Sequence, residues 1–133
     1  MKIVLDTNCL LLIISKKGSF YSVFDRVKKG EIQLVVTSEI INEYEEILEK
    51  IFSVDVADYI IKSLLNHPRT ILINSIYYRW NLISIDQDDN KFIDAYVTGS
   101  ADFLVTNDKH IDVLKQIEFP PVNVLNLSEF IKI

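Results

Sequence analysis

Short apolar runs rich in β-branched residues, separated by segments of helical period, constrain this chain more than any other feature. The runs are Lys2 to Asp6, Gln33 to Thr37, Thr70 to Asn74, Phe103 to Thr106 and Val122 to Leu125. Each is too short for a helix and largely lacks polar alternation, the pattern of strands buried on both faces. Between them, Ser19 to Lys29 places Phe20, Val23, Phe24 and Val27 at helical spacing, and Gly30 sits where a helix ends. Thr37 or Ser38 caps a long helix to about Phe52, and another runs from Val54 to Asn66, stopped before Pro68. Asp89 to Gly99 and Lys109 to Ile117 read as further helices, with an apolar segment from Asn8 to Ser15 and a closing helical turn from Ser128 to Ile131. Such alternation predicts an α/β fold, a three-layer α/β/α sandwich with a mainly parallel central sheet. Only Ile76 to Asp88, with Tyr77-Tyr78-Arg79-Trp80, fits neither period.

The 133 residues fit one domain spanning 1–133, and an apolar fraction of 49% suffices for a sizeable core. Lys and Arg number 14 against 19 Asp and Glu, a net charge of −5. Bulk charge therefore excludes non-specific nucleic-acid binding, which rests on cation–phosphate contacts. Any RNA or DNA must be held by bound metal, a local basic patch or a basic partner. The single cysteine, Cys9, rules out an internal disulfide and suits a reducing compartment. No run approaches the roughly 20 apolar residues of a membrane span. The apolar stretch near the N-terminus is too short for a signal peptide, so a cytoplasmic location without membrane contact is expected.

The acidic residues carry the functional signal. Asp6 ends the first strand and Asp108 follows the fourth, so both stand at the strand C-terminal edge, where open α/β sheets bind ligands. Either could instead cap the helix that follows, although Thr7, Asn8 and Asn107 could do the same. On the long helix, Ile40, Ile41, Tyr44, Ile47, Leu48 and Ile51 form an apolar stripe flanked by Glu43 on one side and Glu45 on the other. Periodicity leaves the two open; Glu43 lies nearer the helix start and hence the strand ends. Asp89 has Phe92, Ile93 and Tyr96 at i+3, i+4 and i+7, which places it on a buried stripe, whereas Asp94 points almost the opposite way. A buried carboxylate needs a partner, a cap role or a metal; Asp86, Asp88 and Asn90 compete for the cap.

Four carboxylates at one sheet edge repel one another unless a cation sits among them. Mg²⁺ and Mn²⁺ take oxygen ligands of this kind, and a bound ion can activate water and polarise a phosphate. Asn8, Thr106 and Asn107 are suited to supporting such a shell or orienting water. Lys91, Lys109 and His110 lie beside the acids and could contact phosphates, with solvated surface as the alternative. Cys9 paired with His67 or His110 lacks any nucleophile signature and reads as a core cysteine. The histidines are not at zinc spacing, and no glycine-rich phosphate loop is present.

Taken together, four segments resemble the PIN domain family, in the group of PIN-family toxin components that includes VapC-like ribonucleases. They are Val4-Leu5-Asp6-Thr7-Asn8, Ser38-Glu39-Ile40-Ile41-Asn42-Glu43, Asp86-Gln87-Asp88-Asp89-Asn90-Lys91-Phe92 and Ala101-Asp102-Phe103-Leu104-Val105-Thr106-Asn107-Asp108. The order and spacing of the four are more specific than any one of them, and the resemblance spans essentially the whole chain. It implies a PIN-like three-layer fold and a Mg²⁺- or Mn²⁺-dependent ribonuclease. By motif match the acidic quartet falls on Asp6, Glu43, Asp89 and Asp108, which selects Glu43 over Glu45. The small polar residue two positions after the first acid matches Asn8. Asp94 is an additional acid of this subgroup.

The resemblance also implies an antitoxin protein that occludes the site, and a homodimer as a further expectation. The function expected is thus an endoribonuclease of a toxin–antitoxin pair, hydrolysing RNA phosphodiesters with metal-activated water. The rival from another class is a non-catalytic metal-binding or partner-recruiting module. A phosphatase of the haloacid-dehalogenase type also begins with an Asp after the first strand, but needs a second Asp where this chain has Asn8.

Overall fold

The computed structural model describes residues 1–76, 79–83 and 89–133, with the side chains of residues 110–112 excepted. Asp86 and Asp88, weighed above as caps, lie outside the described residues, as does the His110 side chain. Five strands form one sheet: β1 (Lys2–Leu5), β2 (Gln33–Thr37), β3 (Ile71–Ile73), β4 (Phe103–Val105) and β5 (Val124–Leu125). Their order is β3-β2-β1-β4-β5, and every pairing among the described residues is parallel. The chain winds outward from β1 through β2 to β3, then returns to the other side of β1 with β4 and β5. The order reverses between β1 and β4, and that switch point is where α/β sheets open a crevice.

The central strands are buried along nearly their whole length: Ile3, Val4 and Leu5 in β1, Leu34, Val35 and Val36 in β2, Leu104 and Val105 in β4. Helices must therefore cover both faces, giving the three-layer α/β/α architecture. They are α1 (Thr7–Ile13), α2 (Tyr21–Lys28), α3 (Ser38–Ile51), α4 (Val54–Leu65), α5 (Asn90–Thr98) and α6 (Leu127–Phe130), with a 3-10 helix at Lys109–Gln116. Helix α5 packs on β1, β2 and β4, while α3 packs on α1, α4 and β2.

Local signals account for most boundaries. Thr37 caps α3, its hydroxyl accepting from Ile40 N at 3.2 Å. Ser53 caps α4 in the same way. Gly30 follows α2 with φ +81°, a left-handed conformation that costs other residues more. Several boundaries differ from the sequence reading by a residue or two, those of α1 and α2 among them. β5 is confined to Val124–Leu125, and the closing helix starts one residue early because Asn126 and Glu129 form a reciprocal capping box. The helix expected at Lys109 to Ile117 is a 3-10 helix.

Asp94 is a larger difference. It was expected off the buried stripe, yet it is 2% exposed. The reason is tertiary: the segment at Arg79 and Trp80 covers it, with Trp80 N donating to its Oδ1 at 3.0 Å and Arg79 Nη1 3.8 Å from Oδ2.

Candidate functional site

Parallel pairing of β1 with β4 aligns Ile3 with Phe103, Val4 with Leu104 and Leu5 with Val105. Asp6 N continues the ladder by donating to Val105 O at 3.0 Å. The same register brings Asp6 beside Thr106, whose hydroxyl donates to Asp6 Oδ2 at 2.8 Å. Asp108 N donates to that hydroxyl at 3.0 Å, so the Thr106 proton is directed to Asp6. One threonine thus orients the first acid and ties down the backbone of the last. Asp6 occupies the N-cap position of α1 and Asp89 that of α5. Among the described residues, neither side chain makes a capping bond. The capping alternative therefore does not account for either carboxylate.

Helix α3 reaches this edge through Tyr44, whose hydroxyl donates to the carbonyl of Leu5 at the end of β1. That anchor sets the neighbouring Glu43 at the sheet edge, half-buried, whereas Glu45 is exposed. Thr7 donates its hydroxyl to Glu43 Oε2, and Lys91 Nζ pairs with Oε1 at 2.7 Å.

Asp6, Glu43, Asp89 and Asp108 line a single cleft of about 190 Å³, together with Thr7, Asn8 and Ile47. The four acids come from four separate elements at the C-terminal edge. Asp6 is only 7% exposed. Burial pushes its carboxyl above the ordinary range; bonds from Thr106 and the Thr7 backbone pull it back, and the charges of Glu43 and Asp108 push it up again. Among the described residues, no three His, Cys, Asp or Glu side chains converge closely enough to hold an ion as they stand. Glu43 in particular is turned to Lys91 and Thr7.

The remaining candidates separate by position. Thr106 is buried beneath the cleft and Asn8 lines its rim. Asn107 faces elsewhere, its Oδ1 accepting from Leu127 N at 3.0 Å, so it ties β4 to α6. Lys109 lines an adjacent cavity of about 210 Å³ with Thr106, Asn107, Asp108 and Lys115. Lys91, read above as solvated surface or a phosphate contact, is instead tucked against Glu43. Asn90, weighed as a cap, clamps Ile83 by two 2.9 Å bonds. Cys9 is buried in the core, and burial together with the Asp6 charge pushes its thiol up to about 12, which removes it as a nucleophile. Thr7 and Tyr44 were missed as site-builders. Thr7 directly follows the first acid, which was a usable signal. Tyr44 lies on an apolar stripe where core packing explains it equally well.

A parallel sheet whose switch point opens on an acid-lined cleft defines a class of α/β/α protein with its cleft at the strand C-terminal edge. A sequence profile described as PIN domain matches residues 2–110, and the chain belongs to the PIN domain family. No curated protein matches it in sequence. Among solved structures it is similar to VapBC2 from Rickettsia felis bound to a DNA fragment from their promoter. The identity is 20%, covering 95% of this chain and 98% of that one, with a TM-score of 0.65. It is also similar to DNA-bound VapBC from Salmonella typhimurium, at 11% identity over 96% and 98% of the two chains and a TM-score of 0.59. At such identities the likeness is one of fold. No helix among the described residues is long and apolar enough to cross a membrane.

Proposed function

We propose that this chain is a divalent-metal-dependent endoribonuclease, a VapC-like toxin acting as a single cytoplasmic domain with RNA as substrate. The observation that carries the reading is the convergence of Asp6, Glu43, Asp89 and Asp108 on one cleft at the switch point. Two of these acids hold N-cap positions without capping. The donor set fits the group: carboxylate oxygens suit Mg²⁺ or Mn²⁺, and a cation would relieve the repulsion that Glu43 and Asp108 impose on buried Asp6. Asp6, Glu43, Asp89 and Asp108 would hold one or two ions, with Thr106 orienting Asp6 and Thr7 orienting Glu43. When bound, such ions supply Lewis acidity that activates water and offsets phosphate charge. Tyr44 keeps α3 at the strand edge, and Asn8, which lines the cleft, would support the metal shell or orient water. Lys109, which lines the neighbouring cavity, would meet a flanking phosphate.

An antitoxin partner is part of the proposal, supported by the fold's likeness to proteins solved as VapBC complexes. The homodimer is proposed on family habit. Glu43's engagement with Lys91 favours a second reading, a non-catalytic module that recruits a partner through this surface. Cleavage of a mixed RNA panel with Mn²⁺ or Mg²⁺, against EDTA and Asp6→Asn controls, separates the two. Metal-dependent cutting lost in Asp6→Asn establishes the nuclease; intact RNA under every condition leaves the module.

A further inference from the structure

Glu43, which pairs with Lys91, lines two cavities. One is the acid-lined cleft. The other is a cavity of about 320 Å³ lined by Glu39, Asn42, Glu43, Glu46 and Lys91 itself. The Lys91 side chain is 10% exposed and that of Glu43 26%, with Nζ and Oε1 2.7 Å apart. An ion pair so short and so little solvated is weakly screened, and its hydrogen bond is of the strong charge-assisted kind. Thr7 takes the other oxygen of Glu43. Both oxygens of this acid are thus engaged by the protein itself, and Oε1 is engaged by a cation.

We propose that Lys91 is a positioning residue that holds Glu43 in reserve. Its ammonium neutralises the carboxylate until a divalent ion enters the cleft, and metal binding exchanges one cation for the other. The freed ammonium has an electrostatically favourable destination in the adjoining cavity, where Glu46 lines the wall beside Glu39, which pairs with Arg79 at 2.9 Å. This exchange weakens metal binding and couples it to movement of the Lys91 side chain. The inference rests on the metal-dependent reading above.

Mn²⁺ titration by calorimetry on the full chain tests it, with wild type, Lys91→Met, Lys91→Arg and Asp6→Asn compared. Circular dichroism melts in EDTA report whether each variant is folded. Lys91→Met should bind Mn²⁺ about tenfold more tightly, the order set by losing one hydrogen bond to a charged group, while Lys91→Arg keeps wild-type affinity. Lys91→Gln, which retains a neutral donor, should fall between them and serves if Lys91→Met does not fold. Wild-type or weaker affinity in folded Lys91→Met and Lys91→Gln overturns the inference. If Asp6→Asn still loses binding in that case, the metal reading survives. Absence of Mn²⁺ binding in wild type and Lys91 variants overturns both.

Discussion

Two buried carboxylates, Asp6 and Asp94, sit in this molecule under opposite conditions. Asp94 is 2% exposed, accepts from Trp80 N and has the Arg79 guanidinium nearby. Burial raises its carboxyl, both partners pull it back down, and the Glu39 charge adds the smallest push upward. Asp6 is 7% exposed and has Thr106 as its side-chain donor, while Glu43 and Asp108 push it upward alongside burial. Asp94 is buried chiefly among groups that favour its charge, so it pins a loop to α5. Asp6 is buried beside further acids, an arrangement that costs stability and makes sense where a cation is to be bound. On the proposed reading, the surroundings of a buried acid, rather than its burial, separate a structural carboxylate from a metal-binding one.

The strongest way to break this contrast is to remove each charge. Asp6→Asn should reduce metal-dependent cleavage by more than about a hundredfold, beyond what loss of a mere supporting partner costs. The same variant should melt higher than wild type in EDTA, because the amide oxygen still accepts from Thr106 while the repulsion is gone. A lower melting temperature would place Asp6 with Asp94 as structural. Thr106→Val removes the donor to Asp6 and should weaken Mn²⁺ affinity by about 10- to 100-fold; unchanged affinity in a calorimetric titration would deny it the orienting role. Asp94→Ala should leave turnover per folded molecule intact and cost about 1.5–3 kcal/mol in urea unfolding, the worth of a hydrogen bond to a charged group.

The smallest effect is on pH dependence. Asp6 and Asp94 are raised in the folded state, so the native protein holds their protons more tightly than the unfolded chain does. Their contribution to stability is complete below the ordinary carboxylate range near about 4 and is lost as pH rises through the raised values. Melting temperatures followed upward through that range in EDTA should therefore fall less steeply for Asp6→Asn than for wild type. Equal slopes would mean that Asp6 is not raised.

Much of this was legible because it depends on near neighbours in the chain. β2 was readable at Gln33 to Thr37 because a run of β-branched residues ends on a residue that caps the next helix. Asp6 and Asp108 were placed at the strand edge because one directly follows β1 and the other lies three residues past β4. Helical period could not choose between Glu43 and Glu45, since both flank the apolar stripe; the Tyr44 bond to β1 shows which flank faces the sheet edge. Asp94 was misplaced for a similar reason. Its burial depends on Arg79 and Trp80, which lie in the one segment without a period.

By itself, therefore, the sequence determined the alternation of strand and helix, the caps at Thr37 and Ser53, the turn at Gly30 and the edge positions of the acids. These follow from side-chain period and backbone preference within a few residues. The tertiary structure decided that Thr106 orients Asp6 across 100 residues and that Lys91 reaches Glu43 across 48. Such pairings arise only when strand register and helix packing bring distant groups together, and no local pattern encodes the distance between them.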